Sequence, residues 1–236
     1  MTDYVLVHGA WHGAWCWKRV RDELVGRGHR VFTPSLTGLA DRSHLLSRDV
    51  TLETHIVDVA NLIRYEELEN IVLVGHSYGG VVVRHVADRM PGSVACLVYL
   101  DAFVPENGKS LIDYMPDSEK SVRLSAMAEG DGWKIPPLSA AHFAVNEADA
   151  AWVDRQCTPH PLATFTTPAK LTGACDSINS IGYVLAGDYA GSFRQFYDRA
   201  KERGWWRTEL ACGHDVMLDM PRQLAELLLQ AEERKP

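Results

Sequence analysis

One hexapeptide constrains this chain more than any other stretch: Gly75-His76-Ser77-Tyr78-Gly79-Gly80. It holds a G-x-S-x-G pattern centred on Ser77, and its flanks decide its meaning. The run before it, Ile71-Val72-Leu73-Val74, is short, apolar and β-branched, and reads as a buried strand. The run after it, Gly80 to Met90, reads as a helix stopped by Pro91-Gly92. A strand that turns sharply into a helix lifts a serine hydroxyl above a sheet, where a histidine can reach it. Such a turn is strained, so small residues must flank the serine, and Gly75 and Gly79 meet that need.

A serine hydroxyl is a weak nucleophile until a base takes its proton and an acid orients the base. In this setting the two follow the serine in chain order, acid and then histidine. Of ten histidines, His160 and His214 lie well downstream, and His142 falls in a loop-rich middle region. His214 is the candidate base. It follows the strand-like run Trp205 to Leu210 and precedes a terminal helix beginning near Pro221. Two aspartates compete as the acid. Asp188 follows the apolar run Ile181 to Gly187, but a carboxylate in that position usually falls two or three residues past the glycine, where this chain has none. Asp101 caps the run Ala95 to Leu100, directly after the serine's helix, and so ends a strand next to the serine's own. Asp101 is the preferred acid and Asp188 the alternative. Asp215, adjacent to His214, ranks third because the backbone points it away.

Acyl transfer also needs donors for an oxyanion. One is the N–H of the residue after the nucleophile, Tyr78. The other comes from the loop His8-Gly9-Ala10-Trp11-His12-Gly13-Ala14-Trp15 after the first strand, with the Ala10 N–H as the candidate.

That loop, the Ser77 hexapeptide and Gly213-His214 together resemble the α/β-hydrolase superfamily, and within it the branch of plant methylesterases, hydroxynitrile lyases and bacterial esterases. The resemblance runs along nearly the whole chain and is weakest from Glu106 to Ser177. It implies an ester hydrolase acting through Ser77. The lyases carry a threonine where Gly9 stands and a lysine where Asp215 stands, and both differences point to the esterase side. The family acid usually follows the second-last strand, which would be Asp188. Haloalkane dehalogenases, similar in fold, place theirs at the strand end matching Asp101, but use an aspartate nucleophile.

Apolar runs recur at 4–8, 30–33, 71–75, 94–100, 181–187 and 205–211, with helical patterns between most of them. One helix is expected from Cys16 to Arg27, and another from Thr51 to Tyr65 with Thr51 as its N-cap. The expected architecture is α/β: about six mostly parallel strands flanked by helices. Residues 104–177 break the alternation with many prolines and short helical stretches, Asp117 to Glu129 and Glu147 to Gln156 among them. That length is too great for a bare loop and predicts a helical cap over a core formed by 1–103 and 178–236. Trp11, Phe103, Trp133, Trp152 and Met217 are the candidate substrate contacts, with Tyr78 beside them; His142, Phe143 and Phe165 also fall in or near the cap.

The net charge of −7 leaves no basic footprint for nucleic acid. No run of 18 apolar residues predicts a membrane span, and no signal-peptide pattern opens the chain. Five cysteines without a C-x-x-C predict reduced thiols, a cytoplasmic setting and no metal or cofactor. The expected partner is a small-molecule ester, and the chain a monomer or homodimer. The leading reading is a serine esterase for a small, mainly apolar ester, such as a methyl or aryl ester. The alternatives are lyase-like chemistry on the same triad and a non-catalytic member that binds a small ligand.

Overall fold

The computed structural model describes residues 1–115, 117–189 and 193–231. Strands β1 (Asp3–Val7), β2 (Arg30–Phe32), β3 (Ile71–His76) and β4 (Val94–Leu100) come first, followed after a long excursion by β7 (Ser180–Ala186) and β8 (Trp206–Leu210). They form one sheet in the order β2-β1-β3-β4-β7-β8, with every neighbouring pair parallel. The central strands β3 and β7 are buried along their whole length and β4 nearly so. This is why they read as unbroken apolar runs rather than alternating ones. Helices α1 (Lys18–Val25), α2 (Leu52–Tyr65), α3 (Gly79–Arg89), α7 (Arg194–Glu202), α8 (Val216–Asp219) and α9 (Pro221–Leu229) accompany the sheet.

Local chemistry sets the boundaries. Thr51 caps α2 as expected: its Oγ1 accepts the Thr54 N–H, while Thr54 Oγ1 accepts the Thr51 N–H at 3.1 Å. The helix expected from Cys16 to Arg27 is shorter. A 3₁₀ turn, Ala14–Trp17, leads into α1, which ends at Val25 just before Gly26.

Between β4 and β7 the chain forms α4 (Ser118–Glu129), α5 (Glu147–Gln156) and the short α6 (Ala163–Thr166). It also forms an antiparallel pair of two-residue strands, β5 (Lys134–Ile135) and β6 (His160–Pro161), which the sequence pattern does not reveal. Polar ties fasten this segment to the sheet layer. Arg19 of α1 holds Asp149 of α5 with two N–H···O bonds of 2.6 and 2.7 Å, and Asn146 donates to Asp219 at 2.7 Å. Thr158 N–H donates to the Trp11 carbonyl at 2.9 Å. No described helix is long and apolar enough to cross a membrane.

Candidate active site

Ser77 stands at the turn from β3 into α3 with φ +53°, a left-handed conformation that a non-glycine residue adopts at a cost. The turn is held from β4: Ser77 N–H donates to the Leu100 carbonyl at 3.2 Å, and the Ser77 carbonyl accepts from Phe103 and Gly80 at 3.1 Å each. Close approach makes both flanking glycines necessary. A Cβ on Gly75 would lie 2.6 Å from the Gly79 carbonyl oxygen, and one on Gly79 would lie 2.7 Å from the carbonyl oxygens of Val7 and His8.

His214 is buried in the loop after β8, and its Nδ1–H donates to Asp101 Oδ2 at 2.6 Å. That bond fixes the tautomer and leaves Nε2 as the basic nitrogen. Asp101 has no solvent exposure, its Oδ1 accepts the Ala186 N–H at 3.2 Å, and its own N–H donates to the Val184 carbonyl at 2.7 Å. The carboxylate brought to His214 is therefore that of Asp101. Asp188 lies on the pocket lining instead, with its N–H on the Cys212 carbonyl, and among the described residues it makes no bond to His214. Near-parallel rings pack against the His214 imidazole: Tyr189 at 4.7 Å, Phe193 at 4.9 Å and Phe143 at 5.7 Å between centroids. His214 and Ser77 line the same pocket. No hydrogen bond joins them among the described residues, as is common before substrate binds.

The loop after β1 is held peptide by peptide. His8 Nε2 accepts the Leu36 N–H at 3.0 Å, so His8 Nδ1 carries the proton it donates to the Gly9 carbonyl at 2.8 Å. Burial pushes this neutral ring down to a pKa of about 3. Trp11, at φ +64°, donates its N–H to His160 Nδ1 at 3.4 Å and its indole N–H to the Ile135 carbonyl at 3.1 Å. Among the described residues the N–H groups of Ala10 and Tyr78 have no acceptor, and both residues line the pocket. The Tyr78 hydroxyl points away from Ser77 chemistry. It donates to His55 Nδ1 at 2.8 Å, because His55 Nε2–H is committed to the Thr37 carbonyl at 2.9 Å.

Residues 4–227 match the model of an α/β hydrolase family. This chain is an α/β hydrolase. It is 43% identical to the carbendazim hydrolyzing esterase of Nocardioides sp. (strain SG-4G), across 97% of this chain and 98% of that protein. It is 35% identical to methylesterase 9 of Arabidopsis thaliana across the full length of both. Among solved structures, an extracellular α/β-hydrolase from a Paenibacillus species superimposes with a TM-score of 0.84 at 26% identity, over 98% of this chain and 99% of that one. That structure is described as sharing structural and functional homology with tobacco salicylic acid binding protein 2.

The pocket of this α/β hydrolase encloses about 570 Å³ over Ser77. Trp11 and Phe103, both expected there, line it, as do His142, Phe143 and Phe165 from the segment between β4 and β7. Three expected contacts do not. Trp133 turns its ring to Arg48 and Lys134, at 5.7 and 5.4 Å. Trp152 packs edge-on against Trp15 at 4.9 Å. Met217, one turn past His214 in α8, has no solvent exposure and belongs to the core. In their place stand Leu111, Met115, Val122, Leu138, Tyr189 and Phe193. Tyr189 and Phe193 follow the end of β7, the place where an acid was sought, so chain position gave a usable signal for them. Asp188 is the one acidic residue of the lining, which holds no lysine or arginine among the described residues. No three described His, Cys, Asp or Glu side chains are grouped to hold a metal ion.

Proposed function

We propose that this α/β hydrolase is a serine carboxylesterase that cleaves small, mainly apolar esters, methyl and aryl esters among them, through an acyl-enzyme on Ser77. The observation that carries the reading is the buried Asp101–His214 pair on the pocket that Ser77 enters, beside two N–H groups without acceptors. His214 Nε2 takes the Ser77 proton as Oγ attacks the ester carbonyl. Asp101 holds the ring in the required tautomer and stabilises the imidazolium. The Ala10 and Tyr78 N–H groups receive the oxyanion, each such donor contributing about 3–4 kcal/mol to the transition state. His214 then gives its proton to the leaving alkoxide, and a water activated by the same nitrogen frees the acid. The apolar lining suits an uncharged substrate, and Asp188 at its exposed edge disfavours esters that carry a second, ionised carboxyl group. The names of the carbendazim hydrolyzing esterase and methylesterase 9 support ester hydrolysis as the chemistry.

Lyase-like use of the same residues is disfavoured by the backbone at Gly9. A Cβ there would lie 2.9 Å from Ser77 Cβ and 3.0 Å from His76 Nδ1, so the threonine of the lyases has no room.

The test is steady-state hydrolysis of p-nitrophenyl acetate, p-nitrophenyl butyrate and methyl benzoate by wild type and Ser77→Ala. Wild type should turn over, and the variant should lose about 10⁴-fold or more in kcat while keeping its circular dichroism spectrum. A folded Ser77→Ala that retains most of its turnover sinks the acyl-enzyme, and a wild type that gives one burst and stops indicates a ligand-binding protein.

A further inference from the structure

Behind the pocket lies an ion pair that the mechanism above does not use. His12 and Asp215 are 1% and 0% exposed, and His12 Nε2 stands 3.0 Å from Asp215 Oδ2. The other ring nitrogen, His12 Nδ1, stands 2.8 Å from the Ala10 carbonyl oxygen. Both nitrogens face acceptors, so both carry protons and the ring is an imidazolium. The charges on the two sides support each other. Burial works against an ionised Asp215, but His12 outweighs it and holds the carboxyl at about 2. Burial likewise opposes a charged His12, and Asp215 outweighs it and raises that pKa above its ordinary value.

The location of the pair is informative. Asp215 immediately follows His214, and His12 is two residues past Ala10. The residue before the nucleophile joins them: His76 Nε2–H donates to the His214 carbonyl at 3.0 Å and lies 3.9 Å from Asp215 Oδ1. Three chain segments, each within two residues of Ala10, Ser77 or His214, thus converge on one buried cluster. A buried ion pair is a poor source of stability, because desolvation consumes most of the attraction and well-packed apolar residues often serve as well.

We propose that His12 and Asp215 are a positioning pair for this same reaction. Their charged hydrogen bonds hold the oxyanion loop at a fixed separation from the loop that carries His214. The proposal rests on the esterase reading. Neither residue lines the pocket, so the pair acts through Ala10 and His214 rather than on substrate. The groups facing His12 are Asp215, the neutral His76 ring at 6.2 Å, and His8, with Trp15 stacked at 5.0 Å and Phe143 edge-on at 5.7 Å. Those facing Asp215 are His12, His76 and His214, with Cys16, Cys157 and Tyr189 near enough to feel its charge.

The experiment measures kcat and KM on p-nitrophenyl butyrate for wild type, His12→Gln, Asp215→Asn and the double variant, with melting temperature alongside. A small displacement of catalytic groups can cost up to about 100-fold. Each single variant is expected to lose about 10- to 100-fold in kcat with KM within about threefold. The double variant should be no worse than the poorer single, since both break one contact. Loss of kcat on raising the pH through the His12 titration should move to lower pH in Asp215→Asn and vanish in His12→Gln. Folded single variants with wild-type kcat, or losses that add in the double, overturn the proposal. Should the variants fail to fold, the imidazole nitrogens of His12 in ¹⁵N-labelled wild type decide: two protonated nitrogens at pH 7.5 support the clamp, and a neutral ring overturns it. A wild type that turns over no ester at all fails the esterase reading instead, which separates the two failures.

Discussion

Asp101 reaches His214 from a strained backbone, φ +41°, with one carboxylate oxygen on the Ala186 N–H and the other on the His214 ring. Replacing it by asparagine presents an amide that can donate to Nδ1 and so favours the wrong imidazole tautomer. Asp101→Asn should lower kcat by about 10⁴-fold with the fold kept. Asp188→Asn, which touches only the pocket edge, should change kcat on neutral esters by no more than a few-fold. Ester hydrolysis by the two variants side by side checks this, and a collapse of Asp188→Asn with Asp101→Asn active would reverse the assignment. The choice between the two aspartates was only half legible in the sequence. Both end strands, and what separates them is the direction of a side chain at a non-glycine positive φ, which composition does not encode. In the sequence Asp215 ranks third because its backbone points it away from His214; among the described residues it makes no hydrogen bond to that ring, and the sequence gives no sign that its carboxylate binds His12, a residue 203 positions earlier.

At the scale of elements, the turn between β3 and α3 depends on how closely α3 approaches β1. Gly79 makes that approach, with the Val7 and His8 carbonyl oxygens where its Cβ would stand. Gly79→Ala must push the helix off the strand or distort the turn that carries Ser77. It should cost about 1–3 kcal/mol in urea unfolding and lower kcat more than it raises KM. An alanine variant with wild-type stability and turnover would mean the turn has slack that the contacts deny. The elements themselves were legible where burial is uniform: β3, β4 and β7 are continuous apolar runs because both faces are covered. Strands β5 and β6 were not, since two residues set no period and Pro161 argues against a strand. Helices α4 and α5 between β4 and β7 were legible, but which side chains of that segment face the pocket was not. Trp133 and Trp152 share the composition of pocket residues, and only packing against Arg48, Lys134 and Trp15 turns them elsewhere.

Across the whole molecule the active site is framed by buried neutral histidines. Burial pulls His8 down to about 3 and His55 to about 4, and holds His76 and His160 well below the ordinary 6.5. A histidine depressed in the folded state contributes stability that is fully present above pH 6.5 and is lost as pH falls toward its folded pKa. His12 has the opposite sign: its contribution is full below 6.5 and is lost as pH rises through its raised folded value. Buried carboxylates such as Asp215 start from 3.8 and matter only at lower pH. The window from pH 6.5 to 4 therefore belongs to the depressed histidines. Unfolding at pH 5 should take up a proton at each of the four rings His8, His55, His76 and His160, to which His85 and His142, also lowered by burial, add in the same sense, and each full proton removes about 1.4 kcal/mol per pH unit. Against a total stability of about 5–15 kcal/mol, the fold should fail within this window. The check is urea unfolding between pH 7 and 4.5 with ester turnover measured on the same samples. These four rings also hold Gly9, Tyr78, the His214 carbonyl and Trp11. Activity and fold should therefore fall together. Stability that stays flat to pH 5 while kcat declines would instead separate the loss of activity from the loss of the fold.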